Sequence, residues 1–179
     1  MPMSFLDGLK TNWYERNLKQ QLDRSRQPRI RPFKAAEIVG ILFDADREEE
    51  RAIVLNYRNI LERDYRKKVT LLGYHDVKEL IGARNYDCFC RKQLDWSETP
   101  KIKEGLLAKF VQTNFHWLLA LHMKDCPPLE YLAAASSAEF RVGHYRAGKT
   151  DFYDWMLHGK DQSLRDFIRQ MEDYKAKIR

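Results

Sequence analysis

The chain has 179 residues, of which 44% are hydrophobic and 32% are charged, and this composition is typical of one folded domain rather than of a disordered or fibrous chain. No apolar run approaches the length of a membrane span, and the N-terminal residues lack the apolar core of a signal peptide. Three cysteines are too few for a disulfide framework and their odd number fits a reducing compartment, so we expect a cytoplasmic protein.

The net charge of +6 is concentrated near the N-terminus. Residues 1–34 contain eight basic and three acidic side chains, a net charge of +5, whereas the other 145 residues contain 24 basic and 23 acidic ones, a net charge of +1. We therefore predict a basic N-terminal arm, residues 1–34, followed by a single α/β domain, residues 35–179. The arm residues that we expect to bind an anionic partner are Lys10, Arg16, Lys19, Arg24, Arg26, Arg29, Arg31 and Lys34.

The arm itself divides into two segments. Residues 5–22 predict a helix, but its apolar side chains change face midway, which disfavours a helix lying flat on a membrane and favours one held by its own domain or by a partner. Pro28 and Pro32 prevent the helix from continuing. We interpret residues 24–34 as an extended basic connector, which either binds an anion or only leads into the first strand.

From residue 35 the chain alternates between strand and helix patterns. The continuously apolar run Ile38–Phe43 predicts a strand that is covered on both faces. Asp46 and Glu49 resemble a capping box ahead of a helix that extends to the basic cluster at residues 63–68. Val69–Gly73 predicts a second strand, which completes a βαβ unit.

The same alternation continues to the C-terminus. The further predicted elements are a helical turn at residues 77–81, strands at 87–90 and 115–122, a helix at 102–111, a helix from Pro127, strands at 140–143 and 152–157, and a final helix that Ser163 and Asp166 cap. Five or six strands separated by helices indicate an open, mostly parallel, doubly wound (Rossmann-like) α/β sheet with helices on both faces.

In such sheets, ligands bind outside the carboxyl ends of the strands. The polar residues that follow the predicted strands form our candidate ligand crevice: Asp44, Asp46, His75, Asp76, His122, Lys124 and Asp125. These residue types are capable of acid–base chemistry or metal binding, but nothing in the sequence fixes their mutual geometry. We therefore assign no catalytic residue and expect no metal and no cofactor.

Several motifs for known chemistry are absent. The first strand-to-helix turn contains no glycine, which disfavours a dinucleotide site or a phosphate-binding P-loop. Cys88 and Cys90 have no second pair at zinc spacing. The segment Ile41–Asp46 is similar to the nucleophile motif of haloacid-dehalogenase-type phosphatases, which implies Asp44 as nucleophile and Asp46 as acid and base, but the Gly-Asp pair that completes that family's metal site is missing downstream.

Two resemblances extend beyond single motifs. The segments Ile38–Ala45, Val69–Asp76, Leu94–Trp96, Trp117–Ser137 and Phe140–Gly143, taken in order, resemble an uncharacterised bacterial family of similar length with no assigned activity. Residues 117–143 are similar to part of the N-terminal half of heptosyltransferase-type glycosyltransferases. That second resemblance implies the Rossmann-like fold, whereas the chain has no room for the second domain that binds the nucleotide sugar in those enzymes.

Three hypotheses about function remain open. The first is a non-enzymatic accessory protein that binds RNA or a ribonucleoprotein through the basic arm, with a membrane surface as the less favoured partner. The second is a small enzyme or binding domain with an unidentified small-molecule ligand in the crevice. The third is a homodimer assembled through the N-terminal helix.

Overall fold

The fold is known from a computed structural model, which describes residues 26–77, 80, 85–95, 101–102, 105–159 and 162–178. Four of the eight basic arm residues, Lys10, Arg16, Lys19 and Arg24, lie outside the described residues. So does most of the helical turn that we predict at residues 77–81. These predictions therefore stay predictions.

Six of the described strands form one parallel sheet. The strands in chain order are β1 (Ile38–Asp44), β2 (Lys68–His75), β3 (Asp87–Cys90), β4 (Leu94–Asp95), β5 (Lys101–Ile102), β6 (Trp117–Leu121), β7 (Phe140–His144) and β8 (Trp155–Leu157). The sheet has the order β3-β2-β1-β6-β7-β8, and every neighbouring pair in it is parallel. This confirms the predicted open Rossmann-like α/β sheet and places the reversal of strand order between β1 and β6.

Helices cover both faces of this sheet. Those within the described residues are α1 (Glu48–Arg63), α2 (Leu106–Gln112), α3 (Pro127–Ala135) and α4 (Leu164–Lys175). Buried side chains of α2 and α3 share one core cluster with Leu42, while those of α1 and α4 share the other with Ile41 and Phe43. Because successive side chains of β1 enter opposite cores, both faces of the strand are apolar, as the sequence predicts. None of the described helices is long and apolar enough to cross a membrane.

Two local predictions are wrong. The residue before the first turn of α1 is Arg47, no side chain caps that end, and the Asp46 carboxylate instead accepts hydrogen bonds from the backbone N–H of Asp76. Ile102, which we placed in a helix, lies in β5, and this short strand pairs antiparallel with β4 in a separate two-stranded sheet. The other capping prediction is confirmed, because the Ser163 hydroxyl accepts a hydrogen bond from the backbone N–H of Asp166.

One glycine sets how closely a loop packs on the sheet. A Cβ atom at Gly40 in β1 would lie 2.8 Å from a ring carbon of Phe115. Phe115 is fully buried just ahead of β6. The ring therefore occupies the space that any larger residue at position 40 would need.

Candidate functional site

The basic connector lies against the edge of the sheet where the strands begin, which we call the amino edge. The Arg26 guanidinium binds the Asp154 carboxylate with nitrogen–oxygen distances of 2.6 and 2.8 Å. The Arg31 guanidinium binds Glu139 at 3.0 and 3.1 Å, and the Arg31 carbonyl accepts a hydrogen bond from the Trp117 indole. Because Glu139 and Asp154 come just before β7 and β8, the connector crosses the amino ends of these strands.

Four basic residues at the amino edge have exposed side chains, and we call them the basic rim: Arg29, Lys34, Arg66 and Lys68. The Lys67 ammonium joins two parts of the rim, since it donates to the Lys34 carbonyl at 3.0 Å and to the Ala36 carbonyl at 2.5 Å. The backbone N–H of Lys68 also donates to the Glu37 carbonyl at 2.8 Å. The stretch that follows Lys34 and the start of β2 are therefore held side by side, whereas Arg29 lies farther along the same edge, ahead of β7.

An aromatic cluster anchors this edge to the C-terminal helix. The Lys175 ammonium of α4 lies 3.8 Å from the ring centre of Phe33 and 4.3 Å from that of Tyr65, geometry typical of cation–π attraction. The same ammonium pairs with Glu172, whose carboxylate also accepts hydrogen bonds from Tyr57 and Tyr65. Burial lowers the pKa of Lys175, although Glu172 opposes this effect.

The opposite edge, the carboxyl edge, brings four of the crevice residues together. Besides its bonds to the Asp76 N–H, the Asp46 carboxylate lies 3.5 Å from Nδ1 of His75. The Asp44 carboxylate accepts a hydrogen bond from the backbone N–H of Asp46 at 3.1 Å. Nε2 of His75 lies 3.0 Å from the Tyr86 hydroxyl. Asp46 thus connects the ends of β1 and β2.

A second group at the carboxyl edge surrounds a fully buried carboxylate. Glu130 of α3 has no exposed surface, and its oxygens lie 2.9 Å from the Lys149 ammonium and 3.3 Å from the Arg146 guanidinium. Arg146 also lies 3.2 Å from Nδ1 of His122. Glu130 and Arg146 are not among the crevice residues predicted from the sequence. A glutamate inside an otherwise apolar helix carries no local signal of whether cations from a later loop will reach it.

The other two crevice residues are peripheral to this second group. The Asp125 side chain is 71% exposed, and its carboxylate lies 3.3 Å from the Arg146 guanidinium. Lys124 is exposed, and its backbone carbonyl accepts hydrogen bonds from His122 and Arg146.

Burial determines the charge state of the second group. It lowers the pKa of His122 to about 3, and the neighbouring Arg146 cation acts in the same direction. Nδ1 of His122 lies 2.9 Å from the Lys124 carbonyl and Nε2 lies 3.2 Å from the Tyr153 hydroxyl, so the neutral ring donates at Nδ1 and accepts at Nε2. Burial also raises the pKa of the Cys126 thiol well above its usual value, with Asp44 and Glu130 adding to the shift. The imidazole and the thiol are therefore both uncharged at neutral pH.

The charged groups at the carboxyl edge bind mainly to other groups of the protein. Glu130 is matched by two cations, and the Asp46 carboxylate accepts the backbone N–H of Asp76, just after β2. In the described part of the chain, no group of three or more histidine, cysteine, aspartate or glutamate side chains is placed to hold a metal ion. This edge therefore resembles a structural network more than a prepared ligand site.

Comparison with known proteins gives one match. Residues 10–178 match the family of unknown function DUF6913, and because the match covers nearly the whole chain, the protein belongs to that family. No curated protein and no solved structure matches the chain significantly. The similarity of residues 117–143 to glycosyltransferases thus finds no support among them.

Proposed function

We propose that the protein is a non-enzymatic accessory protein that binds RNA, alone or within a ribonucleoprotein, through its basic arm and the basic rim. The observation that supports this most directly is the position of the connector. Arg26 and Arg31 bind carboxylates of the domain and fix the connector in place, whereas Arg29 and Lys34 on the same segment are exposed. Arg66 and Lys68 are exposed at the start of β2, along the same edge of the sheet.

Phosphate groups are the anions that such a surface fits best. Lysine and arginine neutralise backbone phosphates without reading sequence, which accounts for most non-specific affinity for nucleic acids. The other cations of the arm, Lys10, Arg16, Lys19 and Arg24, would extend this basic surface along a bound RNA strand. Trp13 and Tyr14 supply rings on which bases can stack. The buried cations that the structure describes at the carboxyl edge, Arg146 and Lys149, are already paired with Glu130.

The test measures the binding of a fluorescently labelled single-stranded RNA at two salt concentrations, using the full chain. Four phosphate contacts on single-stranded RNA predict a loss of affinity of about 50-fold between about 50 and 200 mM salt. The double variant Arg29→Glu/Lys34→Glu removes two of these contacts, so we expect it to bind more weakly and its salt effect to fall to about sevenfold.

A matched variant distinguishes the effect of the basic rim on RNA binding from the effect of net charge. Arg47→Glu/Lys124→Glu makes the same change in net charge at two exposed residues of the carboxyl edge, and we expect it to bind RNA nearly as tightly as the wild type. Equal losses in the two variants would overturn the proposal, as would wild-type affinity that does not change with salt. Binding to anionic lipid vesicles without binding to RNA would identify a membrane surface instead.

A further inference from the structure

A cavity of about 480 Å³ opens beside the basic rim. Arg26, Gln27 and Arg29 of the connector line one side, and residues 134–139 together with Arg141 line the other. This second wall is the segment that joins α3 to β7, so the cavity lies at the amino edge of the sheet. Its volume falls within the range of about 300–1,000 Å³ that is usual for sites of small organic ligands.

The lining of the cavity carries an excess of positive charge. It contains three arginines and one carboxylate, Glu139, which gives a net charge of 3 − 1 = +2. The Glu139 carboxylate is bound by Arg31, which is not part of the lining. The Arg29 guanidinium makes no ion pair with any residue that the structure describes. An anion that enters the cavity would therefore meet an available cation rather than an unmatched carboxylate.

Three carbonyl groups of this segment, which would otherwise repel an anion, accept hydrogen bonds from guanidinium groups. Arg141 donates to the Ser136 carbonyl at 2.5 Å, and Arg26 donates to the carbonyls of Ala138 and Glu139 at 2.7 and 3.0 Å. These guanidinium groups offset the negative end of α3, which points toward this segment. Ser137 is exposed, and its hydroxyl makes no hydrogen bond within the described residues, so it can donate to a ligand.

The lining also contains three alanines. Ala135 is exposed and offers its methyl group, whereas Ala134 and Ala138 are buried. A flat ring or a sugar can lie against this apolar part of the lining while a phosphate attached to it reaches the polar side. The cavity thus combines an apolar surface with a cation and a hydroxyl. A nucleotide has the matching groups, since its base or sugar can contact the apolar surface while its phosphate binds the cation and the hydroxyl.

We infer that this cavity receives one nucleotide unit of the bound RNA, with its phosphate at Arg29 and Ser137 and its sugar or base against the alanines. The inference rests on the proposed function, because it assigns a defined pocket to a strand that the basic rim attracts. It adds a prediction that a basic surface alone does not make. RNA affinity should fall when a substitution fills this cavity, even if the net charge does not change.

The test compares substitutions inside the cavity with the same substitutions elsewhere. Ser137→Asp places a negative charge where the phosphate would lie, and Ala135→Trp fills the space without changing the charge. Thr150→Asp and Thr150→Trp are the controls, since Thr150 is exposed next to Lys149 at the opposite edge. Binding is measured with the labelled single-stranded RNA, and thermal unfolding verifies that all four full-length variants fold.

We expect both cavity variants to lose about tenfold or more in affinity relative to their Thr150 controls. A single-stranded RNA carrying 4-thiouridine should also crosslink to residues 134–141 of the wild type, and this crosslink should be absent in Ala135→Trp. If the wild type binds RNA but cavity and control variants bind equally, the cavity inference is overturned while the proposed function stands. If the wild type does not bind RNA, both are overturned.

Discussion

The Arg26 guanidinium and the Asp154 carboxylate form a bidentate ion pair between residues that are 128 positions apart in the chain. Their side chains are only 16% and 10% exposed. Asp154 also accepts a hydrogen bond from the backbone N–H of Arg141 in β7. One carboxylate therefore holds both the connector and the neighbouring strand.

The first prediction concerns this pair. Arg26→Ala should lower the free energy of unfolding by about 2–4 kcal/mol, because it leaves the Asp154 carboxylate partly desolvated without its cation. Urea denaturation measures the change. The control Arg165→Ala removes an exposed arginine of α4 and should change stability by less than about 0.5 kcal/mol.

The same substitution should release the connector. We expect trypsin to cleave after Arg29 and Lys34 faster in Arg26→Ala than in the wild type, because the connector loses its attachment to the domain. An unchanged cleavage rate would mean that the Arg31–Glu139 pair holds the connector without Arg26.

The second prediction concerns the buried carboxylate. Glu130→Gln removes the fully buried carboxylate that pairs with Arg146 and Lys149. We expect the free energy of unfolding to fall by about 3–5 kcal/mol, because both cations lose a buried counter-charge. Asp125→Asn removes the exposed partner of the same arginine and should cost less than about 1 kcal/mol. Similar losses in the two variants would show that burial does not control the strength of these pairs.

The third prediction is a pH dependence. Because the pKa of His122 is lowered to about 3 in the folded protein, the unfolded chain binds a proton at this residue as the pH falls below its ordinary pKa of about 6.5. The contribution of neutral His122 to stability is therefore complete above that value and is lost as the pH falls toward 3. The slope is at most about 1.4 kcal/mol per pH unit for one proton.

The variant His122→Asn isolates this effect, because its amide can still donate to the Lys124 carbonyl. Urea denaturation between about pH 7 and pH 4 should give a flatter pH dependence for the variant than for the wild type. Parallel curves would mean that His122 binds a proton in the folded state, which the nearby Arg146 and Lys149 cations disfavour.

The fourth prediction concerns Gly40. Gly40→Ala should destabilise the protein by about 1–3 kcal/mol, because the added methyl group would lie within 2.9 Å of the Phe115 ring. The double variant Gly40→Ala/Phe115→Leu makes room for that methyl group. A double-mutant cycle should therefore give a favourable coupling between the two substitutions, and simple additivity would contradict the close packing.

The central strand and the start of the last helix could be predicted because their sequence signals are local. The apolar run Ile38–Phe43 and the cap formed by Ser163 and Asp166 are each complete within a few residues, and both predictions are confirmed. Asp46 and Glu49 repeat the pattern of that cap, yet Asp46 binds the N–H of Asp76 in the next loop. A tertiary partner outcompeted the local one, and single-sequence patterns contain no information about such partners.

The carboxyl edge shows the same limit in the candidate site. Strand ends predicted which residues gather there, and Asp44, Asp46, His75 and Asp76 do lie together. Glu130 was missed because its role depends on Arg146 and Lys149, which arrive from the loop between β7 and β8. The cavity beside Arg29 was missed for the same reason, since its two walls lie more than 100 positions apart in the chain.

The contact between Lys175 and Phe33 has a consequence for the order in which the protein is made. Because synthesis runs from the N-terminus to the C-terminus, Asp154 is made 128 residues after Arg26, and the Lys175 anchor follows later still. The cations of the nascent connector therefore lack these partners until α4 has left the ribosome. A chain truncated before residue 164 should consequently keep its basic segment undocked from the aromatic cluster.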